Sequence, residues 1–293
     1  MRVPRLSSTG RSLPPRMSSR SALVALVVVS IAIAGAIGSV ALGATGSQAA
    51  GRELLPDLDP AVPSQILLER AGNPKRPAYL LGFQSATANV GEGPLVIDGH
   101  RTDLGTPTMA ADQLIRRDAG PDSVTPDVGR LQFVRSPDHR HWHLLRFMRY
   151  ELRRAGTVQA RVRDRKTGFC LGDRYPVMDR ALPARAPRKV YTTRCGLNLL
   201  ERLHVREGIS VGYGDNYTAF LEGQSLPLNG LRAGRYVLVH RVNVERRYRE
   251  LSYDNNASSV LLDLRWRHGV PHLTVLASCP STDRCDAAVV AHR

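Results

Sequence analysis

Three of the chain's nine histidines fall at alternate positions in the stretch DHRHWHLLRF, as His139, His141 and His143. On an extended strand residues i, i+2 and i+4 project from one face, so these imidazoles point together while Arg140 and Trp142 point the other way. A row of imidazoles on one face is a ligand set. A lone histidine is more often a hydrogen-bonded core or surface residue, but three in register favour a metal. In a straight strand the first and third Cβ atoms would stand about 13 Å apart, marginal for one ion held about 2 Å from each nitrogen, so a shared metal calls for a bend or bulge here. Imidazole suits zinc, copper, iron and nickel, and the histidines alone leave the metal open. A three-histidine zinc hydrolase is one reading, although no HExxH segment supplies the general base such enzymes use. A redox metal is the other, and it needs a redox partner elsewhere in the chain.

The compartment decides which chemistry is available. Arg2, Arg5, Arg11, Arg16 and Arg20 precede the apolar run SALVALVVVSIAIAGAIGSVALGATGSQAA, and no acidic residue stands among them. This reads as an export signal over residues 1–50: a peptide cleaved near GSQAA, or a membrane anchor, since Ala22 to Leu42 is long enough to span a bilayer. In either case the arginines face the cytoplasm and everything after about residue 50 lies outside the membrane, secreted or anchored. Five of the fifteen formal positive charges belong to those arginines, which leaves about +10 on the exported part. A basic surface outside a cell suits an anionic cell-surface polymer as a neighbour. Nucleic acid is disfavoured by the export signal and by the lack of a nucleic-acid-binding module. Four cysteines in an oxidising compartment read as two disulfides, Cys170 with Cys195 and Cys279 with Cys285. The first would brace the proline-broken, basic segment RYPVMDRALPARAPRKVYTT, which reads as a long surface loop, and the second would clip the C-terminal tail. Four thiolates on zinc is the alternative, but close CxxC pairs are missing.

The elements that must carry the histidines are short and β-like: AYLLGFQ, GPLVIDG, RLQFV, HLLRFMRYEL, TVQARVRD, YTAFLEG, GRYVLVHRVNV, SSVLLDL and HLTVLA. Gly, Pro, Asn and Asp separate them, and no long stretch keeps an apolar repeat at helical spacing. The expectation is one all-β domain, a β-sandwich or a related fold with long irregular loops. Residues 51 to 77 and the tail after Cys285 read as irregular.

Four segments in order then carry a resemblance. HRHWH is followed by RKTGFCLGD, by GISVGYGDNYTAFLEGQSLPL, and by AGRYVLVHRVNVERRYRELSYDNNASSVLLDL. HxHxH alone is a weak signal, but followed by KxxFCLxD, GxxxGxxDxY and ExxYxNN it is similar to the catalytic domain of the lysyl oxidase family. Upstream, LLPDLDP and LLGFQSATANVGEGPLVI extend the resemblance from about residue 54 to about residue 266, so that residues 51–293 form the lysyl-oxidase-like catalytic domain.

The resemblance implies a copper amine oxidase that makes a quinone from its own side chains. Copper would be held by His139, His141 and His143, and lysine tyrosylquinone would be formed from Lys166 and Tyr217. The reaction implied is oxidative deamination of a primary amine, either peptidyl lysine or a small amine, to an aldehyde, with molecular oxygen as acceptor and release of ammonia and hydrogen peroxide. It also implies calcium at Asp57, the Leu58 carbonyl, Glu250, Asn255 and Asn256, with Ser252 where a further acidic ligand would stand. Without the motifs, Lys166 would be one more solvated cation and Tyr217 a half-buried strand tyrosine. Animal members of the family have more cysteines, another residue at the position of Tyr213, and a histidine where this chain reads RFMRYEL. That last departure removes an obvious general base. Asp215, two residues before Tyr217 and on its strand face, is the candidate, against a plain turn role after Gly214. Against the oxidase stand the zinc hydrolase and a noncatalytic, Ig-like metal-binding or adhesion module, which GRYVLVHRVNV followed by ELSYDNNASSVLL also resembles.

Overall fold

A computed structural model describes residues 51–136, 139–164, 166, 168–177 and 189–285. The export segment, residues 1–50, lies outside the described residues, as does most of the proline-broken loop expected between Cys170 and Cys195. The described residues contain eighteen strands, β1 to β18, and no helix, in keeping with the all-β expectation.

The strands group into three antiparallel sheets. One sheet runs in the order β11 (Gly168–Phe169), β8 (Trp142–Leu145), β7 (Ser123–Phe133), β6 (Thr108–Arg117), β5 (Leu95–His100) and β13 (His204–Ile209), with β1 (Glu53–Leu54) against β6. A second contains β10 (Ala160–Arg163), β9 (Met148–Arg154), β16 (Gly234–Val242), β17 (Ala257–Arg267) and β18 (Val270–Cys279). The third joins β12 (Tyr175–Pro176), β14 (Tyr213–Tyr217), β4 (Arg76–Asn89) and β15 (Ser225–Pro227), with β2 (Leu58–Pro60) and β3 (Ser64–Asn73) also paired to β4. All three sheets contribute to one apolar core: Phe83 from the third, Ile97 and Trp142 from the first, and Tyr150, Leu238 and Leu262 from the second. Burial of these faces is the main force holding the sheets together.

Trp142 shows how the core reaches the histidines. It is fully buried, donates from Nε1 to the Leu199 carbonyl at 3.1 Å, and carries the Arg101 guanidinium 4.8 Å over its ring. Truncation to alanine would cost about 3–5 kcal/mol. Both expected disulfides are present, Cys170–Cys195 with 5.7 Å between Cα atoms and Cys279–Cys285 with 5.6 Å.

Two expectations need correction, and two strands went unread. Residues 51 to 77 are not irregular: β1, β2 and β3 lie there, and β3 forms a hairpin with β4 closed by Pro74 and Lys75. β3 is mostly exposed, so it lacks a hydrophobic alternation, and the ladder to β4 orders it instead. β6 and β13 were not legible either. On β6 the fully buried position 113 is a glutamine, whose amide donates to the Arg249 carbonyl and accepts from the Arg249 N–H, so a polar letter interrupts an inward-facing row. The run YTAFLEG is a strand only through Tyr217, after which two turns follow.

Candidate metal and cofactor site

The strand carrying the histidines bends as a shared ion requires. Only His143 lies within β8; His139 and His141 precede it in a segment held by hydrogen bonds from Val134 N–H to the His141 carbonyl and from Ser136 N–H to the His139 carbonyl, both 2.9 Å. The bend brings one nitrogen from each ring to within 4.8 Å of the others. The ring centroids stand 4.7–5.4 Å apart, and the Nε2 atoms of His141 and His143 are 2.8 Å apart. Ligands about 2 Å from one ion stand about 3 Å from each other, so the set fits a single metal. Burial lowers the pKa of His141 to about 4 and of His143 to about 3, with the neighbouring imidazoles and cations adding to the effect. At neutral pH both rings are uncharged, the form that binds a metal.

Lys166 is brought to this strand by a glycine. Gly168 in β11 pairs with Leu145 in β8, and a Cβ on it would fall 2.7 Å from the His143 Cβ and 2.9 Å from the Leu144 carbonyl oxygen. Only the missing side chain allows the approach. The Lys166 Nζ lies 4.7 Å from the centroid of the Tyr217 ring and 5.2 Å from that of Phe169, and donates to the Glu222 carbonyl at 3.3 Å. Lys166 is half-buried as a residue, but its amine end rests on two aromatic faces, and desolvation there brings its pKa down to about 8 against the opposing pull of Asp215, Asp164 and Glu222.

Tyr217 ends β14 inside the protein, its hydroxyl 2.9 Å from both the Cys170 carbonyl oxygen and Asp215 Oδ2. Burial and the neighbouring carboxyl hold that hydroxyl well above the usual phenol range. Asp215 shares the strand face as expected and is a strand residue, not a turn. Its complete burial outweighs the Arg174 guanidinium, 3.5 Å away, and lifts its pKa to about 7. Beyond Tyr217 the chain makes two turns, closed by Leu221 N–H to the Thr218 carbonyl and Gln224 N–H to the Leu221 carbonyl. Gly223 takes φ +77° there and packs against the Lys166 side chain. Phe220, on the first turn, is 82% exposed, more than any other large hydrophobic among the described residues.

The Cys170–Cys195 bridge ties these parts together. The Cys170 carbonyl meets Tyr217, and the Cys195 carbonyl accepts from the N–H of Trp142, between two of the histidines. The sequence reading missed three contributors. Asp173, the last letter of KxxFCLxD, accepts from the backbone N–H groups of Val190, Tyr191 and Ser210 and from the Ser210 hydroxyl. Ser210 also sits in a GxSxG string, GISVG, but it is buried, bonded to Asp173 and followed by no helix, so it is no exposed nucleophile. Glu207, fully buried beside the disulfide, accepts from Leu171 N–H, and burial pushes its pKa far up. Since β13 was not legible, neither was Glu207.

A second cluster forms where residues 57–58 meet the segment after β16. Glu250 accepts from Leu58 N–H at 3.0 Å and from the amides of Asn243 and Asn256, each at 2.6 Å, while Asn255 donates to Asp57 at 3.0 Å. The Oδ1 atoms of Asn255 and Asn256 are buried without a hydrogen-bond partner, and burial lifts the Glu250 pKa to about 7. Orphaned amide oxygens beside a carboxyl group fit a hard cation. Ser252 instead accepts from Asp254 N–H, a turn role.

An all-β scaffold therefore sets a three-histidine cluster near a buried tyrosine whose ring centroid lies 4.7 Å from an amine. Residues 113–270 match the Lysyl oxidase family, and the chain belongs to it. No curated protein matches the chain. The family and the two disulfides point to an extracellular protein. Among the described residues no helix is long and apolar enough to cross a membrane.

Proposed function

We propose that this protein is a copper-dependent amine oxidase whose quinone is formed from Lys166 and Tyr217. The observation that carries the reading is the Lys166 amine 4.7 Å over the Tyr217 ring, beside three converging imidazoles. Copper at His139, His141 and His143, with lysine tyrosylquinone, supplies the two-electron oxidation: a primary amine, oxygen and water give an aldehyde, ammonia and hydrogen peroxide.

The chain's own groups prepare that chemistry. A pKa near 8 leaves part of Lys166 as the neutral amine, the nucleophilic form that can bond to the oxidised ring. Asp215, 2.9 Å from the Tyr217 oxygen and near pKa 7, can take the hydroxyl proton, and it is the candidate base for the substrate's α-proton. Arg174, 3.5 Å away, favours the ionised form of Asp215 that accepts the proton. Calcium held by Asp57, the Leu58 carbonyl, Glu250, Asn255 and Asn256 would pin the N-terminal strands to the late ones. Residues 1–50 act as signal or anchor for a catalytic domain spanning 51–293, and the substrate is a small primary amine or a peptidyl lysine.

The test is reaction of copper-loaded, aerated protein with phenylhydrazine, read by absorbance, alongside amine-dependent peroxide release. A coloured adduct and peroxide are expected. Copper-loaded protein that gives neither, or that turns over amines while Lys166 and Tyr217 remain unlinked in a digest, sinks the proposal. A zinc hydrolase or an adhesion module would give no adduct.

A further inference from the structure

Away from the histidines, the second sheet carries a concavity of about 530 Å³ lined by Arg154, Arg161 and Arg232 over Leu231 and Tyr236. All three arginines are exposed. Ion pairs among the described residues engage their neighbours, Arg153 and Arg163 with Glu151, but give Arg154, Arg161 and Arg232 no carboxylate partner. Three guanidinium groups with no carboxylate partner among the described residues thus line one hollow.

The site is built and held. Arg154 ends β9 opposite Tyr236 of β16, and next to it Gly234 takes φ +144°, where a Cβ would meet the Arg154 guanidinium at 3.3 Å. The turn bearing Arg232 is fixed from beneath: the buried Tyr236 hydroxyl donates to the Arg232 carbonyl at 2.8 Å and Trp266 Nε1 donates to the Leu231 carbonyl at 3.0 Å. Arg161 comes from β10, across β9. Three strands and a pinned turn therefore fix the backbone positions from which the three arginines line one hollow.

We propose that this concavity binds a polyanionic chain bearing phosphate or carboxylate groups. Guanidinium forks match both groups in paired hydrogen bonds. Three forks, a hollow open to solvent and no enclosing wall suit successive charged units of a polymer better than one small anion.

The experiment measures binding of labelled long-chain polyphosphate and of polyglutamate at low salt, with inorganic phosphate as competitor. Arg154→Ala/Arg161→Ala/Arg232→Ala is compared with Arg76→Ala/Arg116→Ala/Arg202→Ala, which removes the same charge from exposed arginines outside the concavity. The first set should weaken binding of at least one polymer by about tenfold or more and the second by less than about threefold. The single variants Arg161→Ala and Arg232→Ala keep the test valid if the triple variant misfolds, each losing part of the affinity. Equal losses in the two sets would mean that overall charge alone attracts polyanions. Competition by inorganic phosphate at an equal concentration of phosphate groups would mean a single-anion site, and no binding of either polymer by the wild type would mean no site. Each of those three results overturns the proposal.

Discussion

At the residue scale the proposed chemistry rests on side chains whose burial sets their charge. Lys166→Ala, Tyr217→Phe and His141→Ala should each abolish the phenylhydrazine adduct and peroxide release while leaving the fold intact, because a cofactor assembled from all three parts has no partial form. A chemical readout is also at hand: Lys75, Lys166 and Lys189 are the only lysines in the chain, so amine-reactive labelling of denatured, matured protein should mark Lys75 and Lys189 and spare Lys166. Labelling of all three in active protein would exclude the cross-link. Asp215 permits a prediction with a definite sign. Its pKa is raised from about 3.8 to about 7, so its neutral form favours the fold at low pH, and the stability is lost as pH rises from about 4 through about 7. In metal-free protein Asp215→Asn should therefore raise the melting temperature more at pH 8 than at pH 4, and it should slow cofactor formation. Equal melting shifts at the two pH values would show that Asp215 is not a buried, titrating carboxyl group.

At the element scale, the approach of β11 to β8 sets the distance between the metal and the lysine. Gly168→Ala puts a methyl group into space 2.7 Å from the His143 Cβ, which should cost about 1–3 kcal/mol and slow cross-linking more than it weakens copper binding. Parallel measurements of copper content and adduct yield check this, and equal losses would mean that the glycine only supports the histidines. The cluster at Glu250 joins residues 57–58 to the segment after β16, so millimolar calcium should raise the melting temperature at pH 8, and much less at pH 5.5, where Glu250 with its pKa near 7 is protonated. An unchanged melt at pH 8 with calcium or chelator would remove calcium from that cluster. Much of this was legible in the sequence. The motif letters gave the three histidines, Lys166 and Tyr217, the even cysteine count in an exported chain gave both pairs, and period-two alternation gave the main strands. What escaped has physical causes. β3 is an exposed strand ordered by its ladder, β6 buries a glutamine satisfied by the backbone of Arg249, and the strand expected after Tyr217 gives way to turns that depend on Gly223 in the left-handed region. Glu207 acts through a partner distant in sequence, which no local pattern marks, and Asp173, though a letter of KxxFCLxD, shows its role only through Ser210, far along the chain.

At the scale of the whole molecule the site is where the sheets meet: β8 and β11 belong to one sheet and β14 to another. A bond between Lys166 and Tyr217 would therefore run from one sheet toward the other, and it would close a ring of chain that contains the ring already closed by Cys170 and Cys195. The rings are concentric, and they differ in what opens them. Thiols undo the inner one; nothing in an ordinary refolding buffer undoes the outer. The matured chain would then be a reductant-proof lasso, more compact when denatured than its precursor and short of disorder by an amount worth up to about 4 kcal/mol. Its migration in a reducing, denaturing gel should be faster than that of Lys166→Ala, and identical migration would argue that no such ring exists. Stability would become a record of history: two molecules of one sequence would unfold differently according to whether the ring had closed, and the older would refold with its site already in register.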